Sequence, residues 1–210
     1  MLAGIELVKP QEIERRSMEI ISAEMGEHSF SALESVVVKR VIHATADFDF
    51  ATSLFFSPGA AERALATLRR GIGIISDTKM VAAGVNKPAL KRLGSSIDCF
   101  IDDPQVAELA QQPGVTRSAV SMDKAATLAA QRIFAIGNAP TALLRLLELI
   151  EQGRLQPELI IAVPVGFVNV VEAKELIVES SVPCIVARGR KGGSTVAAAI
   201  CNALLYQALV

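Results

Sequence analysis

Three stretches in the second half of the chain share one pattern: a short apolar run breaks into a Gly-containing loop and then into a helix-forming segment. Residues 133–136 lead into Gly137-Asn138-Ala139-Pro140, residues 160–163 into Pro164-Val165-Gly166-Phe167-Val168-Asn169, and residues 185–187 into Arg188-Gly189-Arg190-Lys191-Gly192-Gly193-Ser194. Such punctuation marks successive βα units, whose strands pair in parallel through right-handed crossovers. The fold class that follows is α/β, an open and mainly parallel sheet of about five or more strands flanked by helices, with an N-terminal helical segment. In sheets of this kind the loops gather along the carboxyl edge, and ligands bind there.

The first half reads as helices leading into the sheet. Residues 10–25 form an amphipathic helix with Ile13, Ile20, Ile21 and Met25 inward and Ser17 near the inward boundary. Ser31 followed by Glu34 is a capping box that opens a second helix, with Leu33, Val36, Val37, Val41 and Ile42 inward and an end near His43. Alternation over residues 45–50 predicts a half-buried strand or extended edge, and Ser57-Pro58 predicts the start of a helix that Gly71 ends. Strands are then expected at 72–75 and 97–101, with a short helix to about Ala83 and a turn region over 84–88 between them. Asp102-Asp103-Pro104 opens a short helix, and Thr116 begins a longer one that ends near Gln131. The helices of the three repeated units run from about Pro140 to Gln152, Val170 to Ser180 and Ser194 to Ala208. No long linker or repeat period divides the chain, so residues 1–210 are expected to form a single domain.

Composition narrows the function classes. An apolar share of 51% over 210 residues is ample for a core. A net charge of -1 and a pI near 6.2 give no global attraction for nucleic acid or an anionic membrane. The longest apolar candidate for a membrane span, residues 159–171, is interrupted by Pro164, Gly166 and Asn169, and the amino terminus lacks a secretion signal. A cytoplasmic protein with neither nucleic-acid nor membrane partners is expected. Cys99, Cys184 and Cys201 sit among apolar neighbours and read as buried free thiols, and neither His28 nor His43 has a second ligand at metal spacing. No protein metal site is expected.

The loop from Arg188 to Thr195 carries three cations and three glycines between a strand and a helix, where backbone amides and a helix amino terminus favour anions. It matches neither a Walker A loop nor a dinucleotide fingerprint, and a solvated tight turn is the competing reading. The apolar loop at 164–168 leaves a hydrophobic wall at the sheet edge, suited to a large flat ligand or a subunit interface. His43 is the foremost candidate for proton chemistry. It shares a helix face with Arg40, and the carbonyl end of the helix favours an imidazolium that the arginine opposes. A packed histidine bonded to a carbonyl is the alternative, while His28 reads as a surface residue. Thr116-Arg117-Ser118 offers either an arginine for an anionic group or an ordinary cap. Gly137-Asn138-Ala139-Pro140 reads as a helix start, with Asn138 near the cap. Asp47, Asp49, Asp77 and Lys79 lie near sheet edges, but no spacing singles out a catalytic carboxylate pair.

Taken together and in order, Ser17, Arg40-Val-Ile-His43-Ala44, Phe56-Ser57-Pro58, Met80-Val-Ala-x-Gly84-Val85, Thr116-Arg117-Ser118-Ala119, the run from Ala135 to Leu143, Pro164-Val-Gly-Phe-Val168, Glu172-x-Lys174 and Arg188-Gly-Arg190-x-Gly-Gly-Ser194 resemble the precorrin-8X methylmutase family, which includes the cobalt-precorrin-8 methylmutases. The resemblance spans nearly the whole chain. It implies an isomerase that shifts a methyl group from ring position eleven to twelve of a tetrapyrrole, giving hydrogenobyrinate or its cobalt counterpart cobyrinate in vitamin B12 biosynthesis, with no organic cofactor. It further implies a homodimer whose site lies near the subunit boundary, and His43 as the group that protonates a pyrrole-ring nitrogen. Ser17, Arg40 and Arg117 match positions expected to contact substrate. Arg188, Arg190, Gly192, Gly193 and Ser194 complete the expected substrate-binding set, since peripheral carboxylates on an apolar ring call for basic clusters beside an apolar loop. Two other classes stay open on the residues alone: a non-catalytic corrinoid carrier using the same wall and carboxylate contacts, and a nucleotide-dependent transferase, against which the missing phosphate-loop fingerprints count.

Overall fold

The computed structural model describes residues 8–128 and 131–210. Six strands form one sheet in the order β1-β6-β5-β4-β2-β3, with β1 (Leu54–Phe56), β2 (Ile74–Ser76), β3 (Ile97–Asp98), β4 (Ile133–Ile136), β5 (Leu159–Ala162) and β6 (Cys184–Ala187). All pairs are parallel except the edge pair of β1 with β6, where Leu54 opposes Ala187. The central strands are Ile-rich and buried on both faces, as a sheet covered on two sides requires. Among the five parallel strands the order reverses between β2 and β4, and such a switch point is where the loops on either side part to leave a crevice.

Two helical layers cover the sheet. One holds α1 (Ile13–Met25), α2 (Ala32–Thr45), α4 (Ala60–Arg69), α5 (Lys79–Gly84), α6 (Lys87–Arg92) and α11 (Ser194–Ala208), which pack on Ile74, Ile133, Ala135, Ile161 and Ile185; α3 (Phe50–Ser53) is a single turn between α2 and β1. The opposite face, with Ile75, Phe134, Ile136, Ile160 and Val186, meets α8 (Arg117–Ala126), α9 (Pro140–Glu151) and α10 (Val170–Glu179), and α7 (Pro104–Leu109) lies beside α8. The even and odd residues of each strand thus serve separate cores. α11 is apolar nearly all round and packs against α2, α4 and α5, which makes it the axis of the first layer.

Several local expectations fail for identifiable reasons. Residues 45–50 form no strand but the end of α2, a turn and the start of α3: the Asp47 carboxylate accepts the Asp49 N–H at 3.0 Å and the Thr45 hydroxyl accepts the Asp47 N–H at 3.3 Å, so local side-chain bonds turn the chain before β1. The helix expected from Ser57 starts at Ala60, because Ser57 is used to pin the sheet; its amide donates to the Cys184 carbonyl and its hydroxyl accepts the Cys184 N–H at 2.8 Å. The turn expected over 84–88 contains the start of α6, capped by Asn86 on the Ala89 N–H. The strand at 97–101 shortens to two residues, and the helix after Thr116 ends at Ala126; its expected end near Gln131 runs across residues 129–130, which lie outside the described residues. Ile13, Ile20 and Val36 are exposed instead of inward, while Cys99 is half-buried. The capping box at Ser31 and Glu34 forms as expected.

Candidate active site

α2 ends in an αL cap at Ala46, which leaves His43 in its last turn. There His43, Arg40 and Ala44 line a cavity of about 530 Å³ together with Met80, Ala83 and Gly84 of α5 and Ser194, Thr195, Ala198, Ala199 and Asn202 of α11. The His43 ring is exposed and makes no hydrogen bond to any of the described residues. Arg40 is steadied by Glu14 at 2.8 Å and by the ring of Tyr206, whose centroid lies 5.5 Å from the guanidinium carbon. Ser194 shares a hydrogen bond of 3.0 Å with the Thr78 hydroxyl, and Asn202 ties α11 to α5 and α6 through Gly84 O and the Asn86 N–H. α11 begins without a side-chain cap, so its first-turn N–H groups are left for a ligand where Ser194 and Thr195 meet the cavity.

The loops behind this cavity are held by buried charge. At the switch point Asp77, fully buried, accepts the N–H groups of Gly137, Asn138 and Ala139 at 2.8 to 2.9 Å. Burial pushes its carboxyl above the usual carboxylate value, while those amides pull it back. Asp77, not Asn138, therefore anchors the turn before α9, whose cap position is Ala139 without a side-chain bond. Gly137 has to be Gly: a Cβ there would stand 2.8 Å from the Ser194 Cα. Lys174, also fully buried, donates to the carbonyls of Gly189 and Lys191, both at 2.8 Å, and burial lowers it to about 8. The Gly193 amide is bonded to Val163 O at 2.8 Å, and a Cβ on Gly192 would meet that same oxygen at 2.2 Å. Lys191 reaches Asp47 at 2.7 Å and Asp49 at 2.6 Å, joining the loop to the segment that follows His43.

Of the residues singled out in the sequence, His43, Arg40 and Ser194 line one cavity. Ser17 lies half-buried on α1, its hydroxyl donating to Ile13 O at 2.9 Å. Arg117 is exposed at the first turn of α8, in the layer on the other face of the sheet, and Thr116 acts there as an ordinary cap on the Ala119 N–H. Arg188 is committed to Glu175 at 2.6 Å, and Arg190 stacks over Phe167 at 5.6 Å. The apolar loop is exposed as expected, Phe167 to 82% and Val168 to 76%. Asp77 and Lys174 carried no assigned role. Lys174 had a legible signal, because it occupies the buried stripe Val170, Ala173, Lys174, Ile177 at helical spacing.

A larger cavity of about 770 Å³ lies between α7, α8 and α9. Most of its charges are paired, Arg145 with Asp123 at 2.6 Å and Lys124 with Asp103, while Arg154 donates to the Gln152 side chain at 3.2 Å; its lining has no His or Cys. Size favours this cavity; chemistry favours the one at His43. Among the described residues no cluster of side chains could hold a metal ion.

Fold and cavity together define a class: a doubly wound α/β protein with an unengaged imidazole and an arginine beside a helix amino terminus. The family model for precorrin-8X methylmutase matches residues 12–207. A cobalt-precorrin-8 methylmutase of Salmonella typhimurium is 45% identical over 204 residues, covering 94% of this chain and 95% of that one. A precorrin-8X methylmutase of Pseudomonas aeruginosa is 42% identical, covering 92% and 94%. Among solved structures, the precorrin-8X methylmutase of Thermus thermophilus superposes with a TM-score of 0.87 at 42% identity, covering 94% and 98%. The chain belongs to the precorrin-8X methylmutase family.

Proposed function

We propose that this chain is an isomerase of vitamin B12 biosynthesis that moves the methyl group of precorrin-8X, or of its cobalt-containing counterpart, from ring position eleven to twelve. His43 lends a proton to a ring nitrogen; the protonated macrocycle withdraws electrons, the bond from carbon eleven to the methyl breaks as the bond to carbon twelve forms, and the proton returns to the imidazole. Nothing else is consumed. Arg40, Ser194 and the free amides of α11 take substrate carboxylates, with Ser17, Arg190, Gly192 and Gly193 as further contacts, Arg188 joining them on leaving Glu175 and Arg117, on the other face of the sheet, acting from the partner chain. Binding energy from those remote groups holds the ring in a reactive geometry.

The observation that carries the reading is the His43 ring, open to a cavity at the carboxyl edge and spent on no structural bond. That cavity is small beside a tetrapyrrole with its acid side chains. We therefore read the protein as a cytoplasmic single-domain chain that works as a homodimer, in which the exposed Phe167 and Val168 help complete the site or cover its boundary. Among the described residues no helix is long and apolar enough to cross a membrane.

Incubating purified protein with metal-free and cobalt-loaded substrate and following the absorption spectrum tests the reading. Conversion of many equivalents per chain is expected with at least one of the two. Binding of one equivalent without conversion would identify a corrinoid carrier instead.

A further inference from the structure

Lys174 is a cation at 0% exposure with no carboxylate bonded to it. Burying an ammonium without a counter-charge costs stability, and a methionine of similar length would fill the same space more cheaply. What the ammonium does instead is specific: it reaches out of α10 and grips two carbonyls, Gly189 O and Lys191 O, on the loop between β6 and α11. Gly166 N–H holds the same loop through Arg190 O at 3.2 Å, and Val163 O holds it through Gly193 N–H at 2.8 Å. Three residues past Lys191 the loop delivers Ser194 into the His43 cavity.

We propose that Lys174 is a positioning residue for substrate binding: its buried ammonium fixes residues 188–194 in the shape that presents Ser194 and the first turn of α11. Of the loop's surface cations, Arg188 is paired with Glu175 and Lys191 with Asp47 and Asp49, while Arg190 lies over the Phe167 ring; the Lys174 ammonium is bonded to carbonyls of the loop itself. Glu175 is the adjacent acid on its own helix, Arg188, Arg190 and Lys191 are the charged groups of the loop, and the neutral Cys184 thiol is the titratable group of β6. The inference rests on the methylmutase reading, since the ligand it serves is the ring of carboxylates on that substrate.

Steady-state kinetics of the wild-type and Lys174→Met proteins with precorrin-8X is the test. KM should rise by roughly tenfold or more, because loop contacts act in binding, while kcat changes by less than about threefold, because His43 stands on another helix. Lys174→Gln, which keeps an uncharged donor, should retain the fold and still raise KM. The wild type gives a second readout. Its ammonium is lost as pH rises through about 8, below the ordinary 10.5, so KM should climb across that window. In the same window the folded state binds fewer protons than the unfolded chain, so stability relative to Lys174→Met should increase. A merely structural lysine would move affinity and stability together. An unchanged KM in a folded Lys174→Met or Lys174→Gln protein, or a wild-type KM flat through pH 8, overturns the proposal and leaves the methylmutase reading standing. A wild-type protein that converts no substrate overturns both.

Discussion

At the amino edge of the sheet the Glu158 carboxylate, 3% exposed, meets two guanidiniums, Arg63 of α4 at 3.0 Å and Arg70, which caps that helix, at 2.8 Å. At the carboxyl edge Asp77 and Lys174 are as deeply buried, yet each is held by backbone groups alone. The first arrangement neutralises the buried carboxylate and fastens α4 to the start of β5. The second leaves charge uncancelled, at a cost in desolvation, and in return fixes the loops on which a polyanionic ligand is expected to sit. One fold thus uses ionisable groups in two ways, as a clasp at the amino edge and as a loop anchor at the carboxyl edge, where the proposed site lies.

Changes at the two edges should separate. The largest effect is expected from Gly192→Ala, where the new Cβ would collide with Val163 O, 2.2 Å away; about 3–5 kcal/mol of stability should go, read by denaturant unfolding, together with most activity. Asp77→Asn turns an acceptor into a donor facing N–H groups, which should cost about 1–3 kcal/mol and also lower kcat/KM, because Gly137 backs onto Ser194. Glu158→Ala should cost about 1–2 kcal/mol, limited because both arginines are half-exposed and regain water, and should leave kcat/KM within about twofold. Loss of activity there would break the contrast between the edges. Ser194→Ala, which removes only the bond to Thr78, should change the unfolding midpoint least, by the equivalent of about 0.5–1.5 kcal/mol, yet raise KM measurably.

Much of the fold is legible in the chain because its signals are local. The Ile-rich runs of β4, β5 and β6, the capping box of α2 and the Thr116 cap act within a few residues and appear where expected. β1 is not legible, since three residues, Leu54-Phe55-Phe56, give no period, and what makes them a strand is pairing with β6 more than a hundred residues on. Asp77 escapes for the same reason: its partners are backbone amides at 137–139, and an amide leaves no mark in a sequence. The basic loop shows the opposite limit. Its cations are obvious, but Arg188 and Lys191 are taken up by Glu175, Asp47 and Asp49, so charge read from composition overstates what a ligand would meet. His43 and Arg40 could be paired by helical spacing, whereas Ser194 joins them only through the packing of α11 against α2.

The central claim is that the exposed imidazole of His43 carries the chemistry while the surrounding cavity carries the binding. Turnover of precorrin-8X by the His43→Ala protein, measured beside its affinity for the product hydrogenobyrinate, addresses both halves at once. A fall in kcat of about 10²–10⁴ with product affinity kept within about threefold is the predicted result. Wild-type turnover in the His43→Ala protein would contradict it.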